Sequence, residues 1–165
     1  MIELNSKTQQ DFLNRKWVQR LLDAGVDMSD AYYNIGDFSI INGMKDCIFR
    51  KGTMQKAEHN LIKDIIPTYT VSELLYKLHE YIYPTIDGEE YSGGLKFCKD
   101  APFYIFYYAL KTKEYDPQLQ QGNYKEDYIY AEFEYPIESL ASLLIQCHQK
   151  DIGMNTKDTG NISDK

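Results

Sequence analysis

Two tyrosine-rich segments with the character of β-strands constrain the fold of this chain more than any other feature. The chain holds 15 Tyr in 165 residues, and two dense clusters lie at 103–110 and 128–135. The first segment is apolar or aromatic at every position, which is typical of a central strand with both faces at least partly covered. The second alternates in polarity, which is typical of a strand with one buried and one wet face. We therefore expect a sheet with aromatic faces.

The alternation in 128–135 predicts which side chains point away from the core. Ile129, Ala131 and Phe133 share one face, and we expect that face to be buried. Aromatic residues dominate the energy of protein interfaces, so the opposite face is a candidate binding surface. Its predicted members, including two tyrosines expected to join from the neighbouring strand, are Tyr104, Tyr108, Tyr128, Tyr130, Glu132 and Glu134. The alternative is that a helix covers these tyrosines, which would then belong to a second layer of core.

Three helices are predicted from apolar spacing and end signals. The first spans residues 7–24, with Ser6 as its cap and Gly25 beyond its end. The second begins after Thr70, which forms a capping box with Glu73, and it ends at Pro84. The third begins at Pro136 and ends before Gly153.

Further strands are predicted at 38–41 and 44–49 around the turn dipeptide Asn42-Gly43, and at 95–98. Asp87-Gly88 predicts another turn, and Ile65-Ile66 before Pro67 is expected to be extended. Together the elements predict an α+β fold, with an antiparallel sheet of about four to five strands and three helices packed on it. We expect one domain over residues 1–153 and a disordered polar tail over 154–165.

Composition narrows the classes of partner. The formal net charge is −7, which disfavours nucleic acid and anionic membranes because both are negatively charged. No apolar run is long enough to span a bilayer, and no secretory signal is recognised at the N-terminus. Three widely spaced cysteines give no disulfide framework, so a cytoplasmic location is expected. The oligomeric state is not defined by the sequence.

The side chains that usually carry catalysis form no recognisable motif. A Cys–His pair would have to use His79 or His148 with Cys98 or Cys147, but Cys147 lies on the apolar stripe of the third helix. The spacing of His, Cys and carboxylates matches no zinc or calcium site, and Gly93-Gly94 lacks the Lys-Ser/Thr step of a phosphate loop. We therefore predict no catalytic residue, no metal and no cofactor.

Two segments resemble a loose group of small proteins encoded by bacterial prophages and mobile elements. They are Pro67 to Leu78, with the pattern T-x-x-E-L-L-x-x-L, and Ala131 to Leu144, with the pattern E-x-L-A-x-L-L. The likeness as a whole covers about half of the chain, and its motifs are packing signatures. The group has no established activity that could be carried across. The resemblance implies an accessory cytoplasmic protein.

Three functions are compatible with the sequence. The first is a non-enzymatic protein-interaction or accessory module that uses the Tyr/Glu-rich sheet face. The second is a small enzyme with a pocket of Tyr, His and Cys side chains. The third is an acidic immunity or anti-restriction type protein that neutralises a basic partner. A protein partner is expected in the first and third cases.

Overall fold

The structure, a computed structural model, describes residues 2–5, 8, 10–112 and 125–150. The chain divides into two compact units, Met1–Leu74 and Leu75–Lys165, each described by itself. The expectation of one domain over 1–153 stays a prediction. The expected tail at 154–165 and the segment 113–124 lie outside the described residues.

Among the described elements, strands and short helices alternate as far as Lys77, after which five strands follow one another before a closing helix. The helices are α1 Arg15–Asp23, α2 Ser39–Asn42, α3 Lys56–His59, α4 Val71–Lys77 and α5 Pro136–Gln149. The strands are β1 Ile2–Glu3, β2 Tyr33–Phe38, β3 Met44–Arg50, β4 Lys63–Thr68, β5 Tyr81–Ile82, β6 Thr85–Ile86, β7 Glu89–Asp100, β8 Phe103–Thr112 and β9 Glu126–Phe133. Every pairing between these strands is antiparallel.

The α+β class with antiparallel strands is confirmed, although the strands form two sheets and not one. The first unit holds a four-stranded sheet in the order β1-β3-β2-β4. The second holds a five-stranded sheet in the order β5-β7-β8-β9, with β6 also paired to β7. Three of the five helices in the described residues match those predicted, and the other two are single turns.

Helix α1 is shorter than predicted. It begins at Arg15, because the side chain of Asn14 accepts a hydrogen bond from the backbone N–H of Trp17 at 3.1 Å and caps the helix there. Phe12, which we expected inside the helix, forms a β-bridge with Thr70. The predicted cap Ser6 lies outside the described residues. Trp17 is buried, as its place in the apolar stripe predicts.

The predicted strand at 38–41 is wrong beyond Phe38. Strand β2 ends there, and residues 39–42 form a helical turn that closes on Gly43 with φ +76°. The side chain of Asp37 explains the change, because it accepts hydrogen bonds from both the backbone N–H and the hydroxyl of Ser39. Such a bond starts a turn in place of a continued strand. Phe38 still pairs with Met44 across the hairpin.

The capping box of α4 is confirmed, but the helix is shorter than predicted. The backbone N–H of Thr70 donates to Glu73 at 3.1 Å, and the N–H of Glu73 donates to the Thr70 hydroxyl at 3.3 Å. The helix ends at Lys77, and not at Pro84, because Tyr81 and Ile82 form strand β5 and pair with Gly94 and Gly93.

Strand β8 is central in the second sheet, as its apolar sequence predicts. A two-residue turn, Asp87-Gly88, joins β6 to β7, with φ values of +52° and +80°. The β7–β8 turn contains a cis Ala101–Pro102 peptide. From Lys96 to Asp100, the strand pairings of the described residues give β7 no partner on the side away from β8.

Helix α5 covers one face of the second sheet. It begins at Pro136, as predicted, and it packs against β8 and β9. The Ser139 hydroxyl donates to the carbonyl oxygen of Tyr104 at 2.7 Å, and the Gln146 amide donates to that of Tyr130 at 2.8 Å. The helix ends at Gln149, before Gly153 as predicted, and Gly153 itself lies outside the described residues. In the described ranges, no helix combines the length and apolarity that crossing a membrane requires.

Candidate functional site

The register of the second sheet assigns each side chain of β8 and β9 to a face. Residues directly opposite each other in an antiparallel pair point to the same side. Tyr108 pairs with Ile129, whereas Tyr107 pairs with Tyr130. We call the side that carries Tyr107 and Tyr130 the outer face, and the side that carries Tyr108 and Ile129 the inner face. The inner face contacts α5 through β8 and β9.

The alternation predicted for β9 is confirmed. Ile129 and Ala131 are 2% and 3% exposed, whereas Tyr128 and Tyr130 are 54% and 58% exposed. Glu132 and Glu134 are also exposed. The alternative that a helix covers the predicted tyrosines is therefore wrong for Tyr128 and Tyr130. We name Tyr128, Tyr130, Glu132 and Glu134 the Tyr/Glu surface.

The expectation that Tyr104 and Tyr108 join this surface is wrong. Tyr104 pairs with Phe133 and Tyr108 with Ile129, so both side chains point to the inner face. Tyr108 is fully buried, and its hydroxyl donates a hydrogen bond to the main-chain carbonyl of His79. Tyr104 is half-buried and stacks against Phe97 at a centroid distance of 6.2 Å. In an apolar strand without alternation, the sequence does not indicate which side chains point to the core and which point outward, and this explains the error.

On β8 it is Tyr107, and not Tyr104 or Tyr108, that points to the outer face together with Tyr130. It is half-buried on the outer face, and its ring lies 6.5 Å from that of Tyr128, at a tilt of 50°. The two residues are diagonal neighbours on adjacent strands, a spacing within reach of aromatic side chains. Tyr107 thereby extends the aromatic surface from β9 onto the central strand.

A shallow basin lies beside the Tyr/Glu surface on the same outer face. Its volume is about 550 Å³, within the range of small-molecule sites. Small residues form its floor, aromatic rings stand at both ends, and charged groups lie along its sides. The lining residues are Tyr81, Ser92, Gly93, Gly94, Lys96, Tyr107, Ala109, Lys111, Glu126 and Tyr128.

Pairing across four strands explains the shape of the basin. Tyr81 pairs with Gly94 on β7, and Tyr128 pairs with Ala109 on β8. Three strand spacings of about 4.8 Å place the two tyrosines roughly 14 Å apart, with glycine and alanine between them. On this floor no side chain larger than a methyl group rises between the aromatic ends.

The charged groups of the basin sum to a positive value. Lys96 lies beside Tyr107, with which it pairs, and Lys111 lies beyond the opposite side of the floor. Glu126 pairs with Lys111 across the β8–β9 ladder, and their charged atoms are 3.9 Å apart. Two ammonium groups therefore face one carboxylate, in contrast to the negative charge of the whole chain.

Gly93 and Gly94 have different roles in this strand. A Cβ atom built on Gly93 would lie 2.1 Å from the carbonyl oxygen of Ala109, so only glycine fits there. A Cβ atom built on Gly94 would meet its nearest neighbour, the ring of Tyr81, at an ordinary 3.4 Å. Neither glycine has a positive φ. The fold therefore does not require glycine at Gly94, although this residue keeps the basin floor open.

The surroundings of Cys147 do not favour its use as a catalytic nucleophile. Burial raises the pKa of the Cys147 thiol to about 12, which keeps it protonated, whereas a nucleophilic cysteine needs a lowered pKa. His79 is buried in the second unit. Cys98 is exposed and shares the outer face with Ile105, its partner on β8.

Within the described residues, no group of three or more His, Cys, Asp and Glu side chains is placed to hold a metal ion. Glu132 and Glu134 remain neighbours on an exposed face, as the alternation predicts.

The sequence could not have revealed the basin, because its residues come from four strands whose pairing depends on contacts between distant segments.

Comparison with known proteins finds no similar protein or structure. No protein-family model matches the chain, no curated protein matches it, and no solved structure matches its fold. The resemblance to prophage-encoded proteins therefore stays a prediction.

Proposed function

We propose that this protein is a non-enzymatic interaction module that binds an arginine-bearing segment of a partner protein on the Tyr/Glu surface. The observation that carries the proposal is the exposure of Tyr128 and Tyr130 on a regular strand, at 54% and 58%. The hydrogen-bonded strand fixes their backbone, and a tyrosine side chain has only two χ angles, so little conformational entropy is lost when a partner covers them.

The chemistry of the surface favours arginine in the partner. Tyr128, Tyr130, Glu132 and Glu134 follow one another at alternate positions of one face, which gives a repeat of about 6.8 Å. An arginine side chain stacks on a tyrosine ring and also forms two parallel hydrogen bonds to a carboxylate. An extended segment with arginines at alternate positions matches this repeat. The negative charge of the chain, −7, also favours a basic partner.

The edge of β9 argues against the addition of a partner strand at this position. The Gln146 amide donates to the main-chain carbonyl of Tyr130 at 2.8 Å and so occupies a group that an added strand would need. The partner would then bind through side chains on the outer face. An accessory role of the kind implied by the resemblance to prophage-encoded proteins is compatible with such a module.

A displayed library of random peptides, selected against the immobilised protein, tests the proposal. We expect enriched peptides to carry arginine together with apolar residues. Fluorescence anisotropy with the synthesised peptides should show that Tyr130→Ala or Glu132→Gln weakens binding about tenfold, equivalent to about 1.4 kcal/mol. Replacing arginine by lysine in the peptide should also weaken binding, because lysine cannot form the bidentate contact.

Tyr76→Ala is the matched control, because Tyr76 is an 87% exposed tyrosine that lies on α4 and not on β9. This variant should bind the selected peptides with unchanged affinity. Selection of peptides without positive charge, or equal binding by the Tyr130→Ala variant, would show that this surface is not the recognition site.

A further inference from the structure

The basin is a second candidate binding site on the outer face, next to the Tyr/Glu surface, with which it shares Tyr128. From its geometry we infer that it binds a small molecule that combines a planar ring with an anionic group, either a carboxylate or a phosphate. This inference goes beyond the proposed function, since it concerns a free ligand and residues of the outer face that, apart from Tyr128, lie outside the Tyr/Glu surface.

The open floor is the first step of the argument. A glycine inside a strand costs about 0.5–1 kcal/mol relative to alanine and often marks a place where a ligand approaches the backbone closely. Gly94 has room for a Cβ atom and no positive φ, so neither crowding nor backbone conformation accounts for it. A ligand that rests flat on the backbone at Gly94 does account for it.

The aromatic ends of the basin are the second step. Tyr81 and Tyr128 are 47% and 54% exposed, and Tyr107 lines the side between them. Exposed aromatic rings around a floor of small residues favour a flat, apolar group, which can stack on a ring face or meet its edge. The span of roughly 14 Å between the end tyrosines accommodates a ring system with a substituent.

The charges are the third step. Lys96 and Lys111 place an ammonium group on each side of the floor, whereas Glu126 supplies one carboxylate, which already lies 3.9 Å from Lys111. A negatively charged substituent at one end of a planar ligand would therefore be attracted. A cationic ligand would be repelled by Lys96, which has no carboxylate opposite it in the β7–β8 register.

A charge series on one ring tests the inference. Indole-3-acetate, indole and tryptamine carry a negative, neutral and positive group on the same planar ring. Titration followed by NMR should show the tightest binding for indole-3-acetate, about fivefold tighter than indole, because an exposed ion pair contributes up to about 1 kcal/mol. Adenosine 5′-monophosphate against adenosine repeats the comparison with a phosphate. The shifted signals should belong to β5, β7, β8 and β9.

Variants then locate the site. Gly94→Val places a β-branched side chain on the floor and should weaken indole-3-acetate binding tenfold or more, while circular dichroism stays unchanged. Lys96→Gln should remove most of the preference for the anion over indole. Tyr76→Ala, outside the basin, should bind as the unchanged protein does.

Three results would overturn the inference. They are tryptamine binding as tightly as indole-3-acetate, an unchanged affinity in the Gly94→Val protein, and no binding of any anionic probe at millimolar concentration. The peptide site and the basin can be separated, because Tyr130 does not line the basin. Tyr130→Ala should therefore weaken peptide binding about tenfold and leave indole-3-acetate binding intact, whereas Gly94→Val should weaken indole-3-acetate binding and leave peptide binding intact.

Discussion

Two adjacent glycines of β7 are expected to respond to alanine in opposite directions. Gly93 points to the inner face, opposite Ile82, and Gly94 points to the outer face, opposite Tyr81. The two residues share a strand and a sequence context, and they differ in what surrounds an added methyl group. Comparison of Gly93→Ala with Gly94→Ala therefore tests the packing of the second sheet directly.

At Gly93, alanine cannot fit without movement of the backbone. The new Cβ atom would lie 2.1 Å from the carbonyl oxygen of Ala109 and 2.9 Å from its carbonyl carbon. A backbone atom cannot rotate away as the end of a flexible side chain can. Overpacking of a core typically costs 1–3 kcal/mol, and we expect about 3 kcal/mol or more here. For a unit of 60–100 residues, this loss lowers Tm by about 12 °C or more.

At Gly94, alanine should be neutral or stabilising. Its Cβ atom would meet the Tyr81 ring at 3.4 Å, which is ordinary contact, and the backbone φ is not positive. Removing the freedom of glycine in the unfolded chain stabilises a protein by about 0.4–1 kcal/mol where the native conformation suits alanine. The two variants should therefore differ in unfolding free energy by more than 3 kcal/mol.

Urea unfolding followed by far-ultraviolet circular dichroism measures this difference. Fluorescence of Trp17, the only tryptophan, is unsuitable because this residue belongs to the first unit. If Gly93→Ala is as stable as the unchanged protein, the close approach of β7 and β8 is wrong. If Gly94→Ala costs more than 1 kcal/mol, the fold itself needs that glycine, and the argument for a ligand on the basin floor loses its basis.

Three further results are expected in the second unit. Tyr108→Phe leaves the buried carbonyl of His79 without its hydroxyl donor and should cost about 1–3 kcal/mol in urea unfolding, whereas Tyr130→Phe should cost nothing measurable. A thiol reagent should label Cys98 and spare Cys147 in the native protein, as checked by peptide mass spectrometry. Burial raises the pKa of Cys147 from 9.0 to about 12, so its contribution to stability is complete below pH 9. Burial also raises the Tyr108 pKa, so the urea midpoint should fall as pH rises above 9, and a flat midpoint up to pH 12 would contradict this.

Local signals predicted the parts of the fold that depend on neighbours in sequence. The capping box of Thr70 and Glu73, the first-turn position of Pro136 and the alternation of β9 are each complete within a few residues, and the structure contains all three. Asp87-Gly88 forms the predicted turn for the same reason, because its positive φ values are an intrinsic tendency of the dipeptide.

The parts that could not be predicted depend on pairing between distant segments. Strand β5 forms from residues with a helical pattern because Ile82 is buried opposite Gly93. The face of Tyr107 follows from a register across the β8–β9 connection, and an apolar strand does not specify its register by alternation. The basin combines Tyr81 with Lys96 and Gly94 only after both pairings exist, so no stretch of sequence contains its pattern.

Among the described residues, the margin of β7 between Lys96 and Asp100 has no strand partner, which has a consequence for behaviour in concentrated solution. A strand margin with unsatisfied backbone groups is a template on which another chain can add a strand. Lys96 and Lys99 stand on this margin beside the exposed ring of Phe97. Lys96 and Lys99 outnumber Asp100 there, so two copies that approach through this margin would each bring a net positive charge, and salt would screen that repulsion. We therefore expect self-association to increase with ionic strength, and Lys99→Thr, which leaves the margin without net charge, to permit it already at low salt.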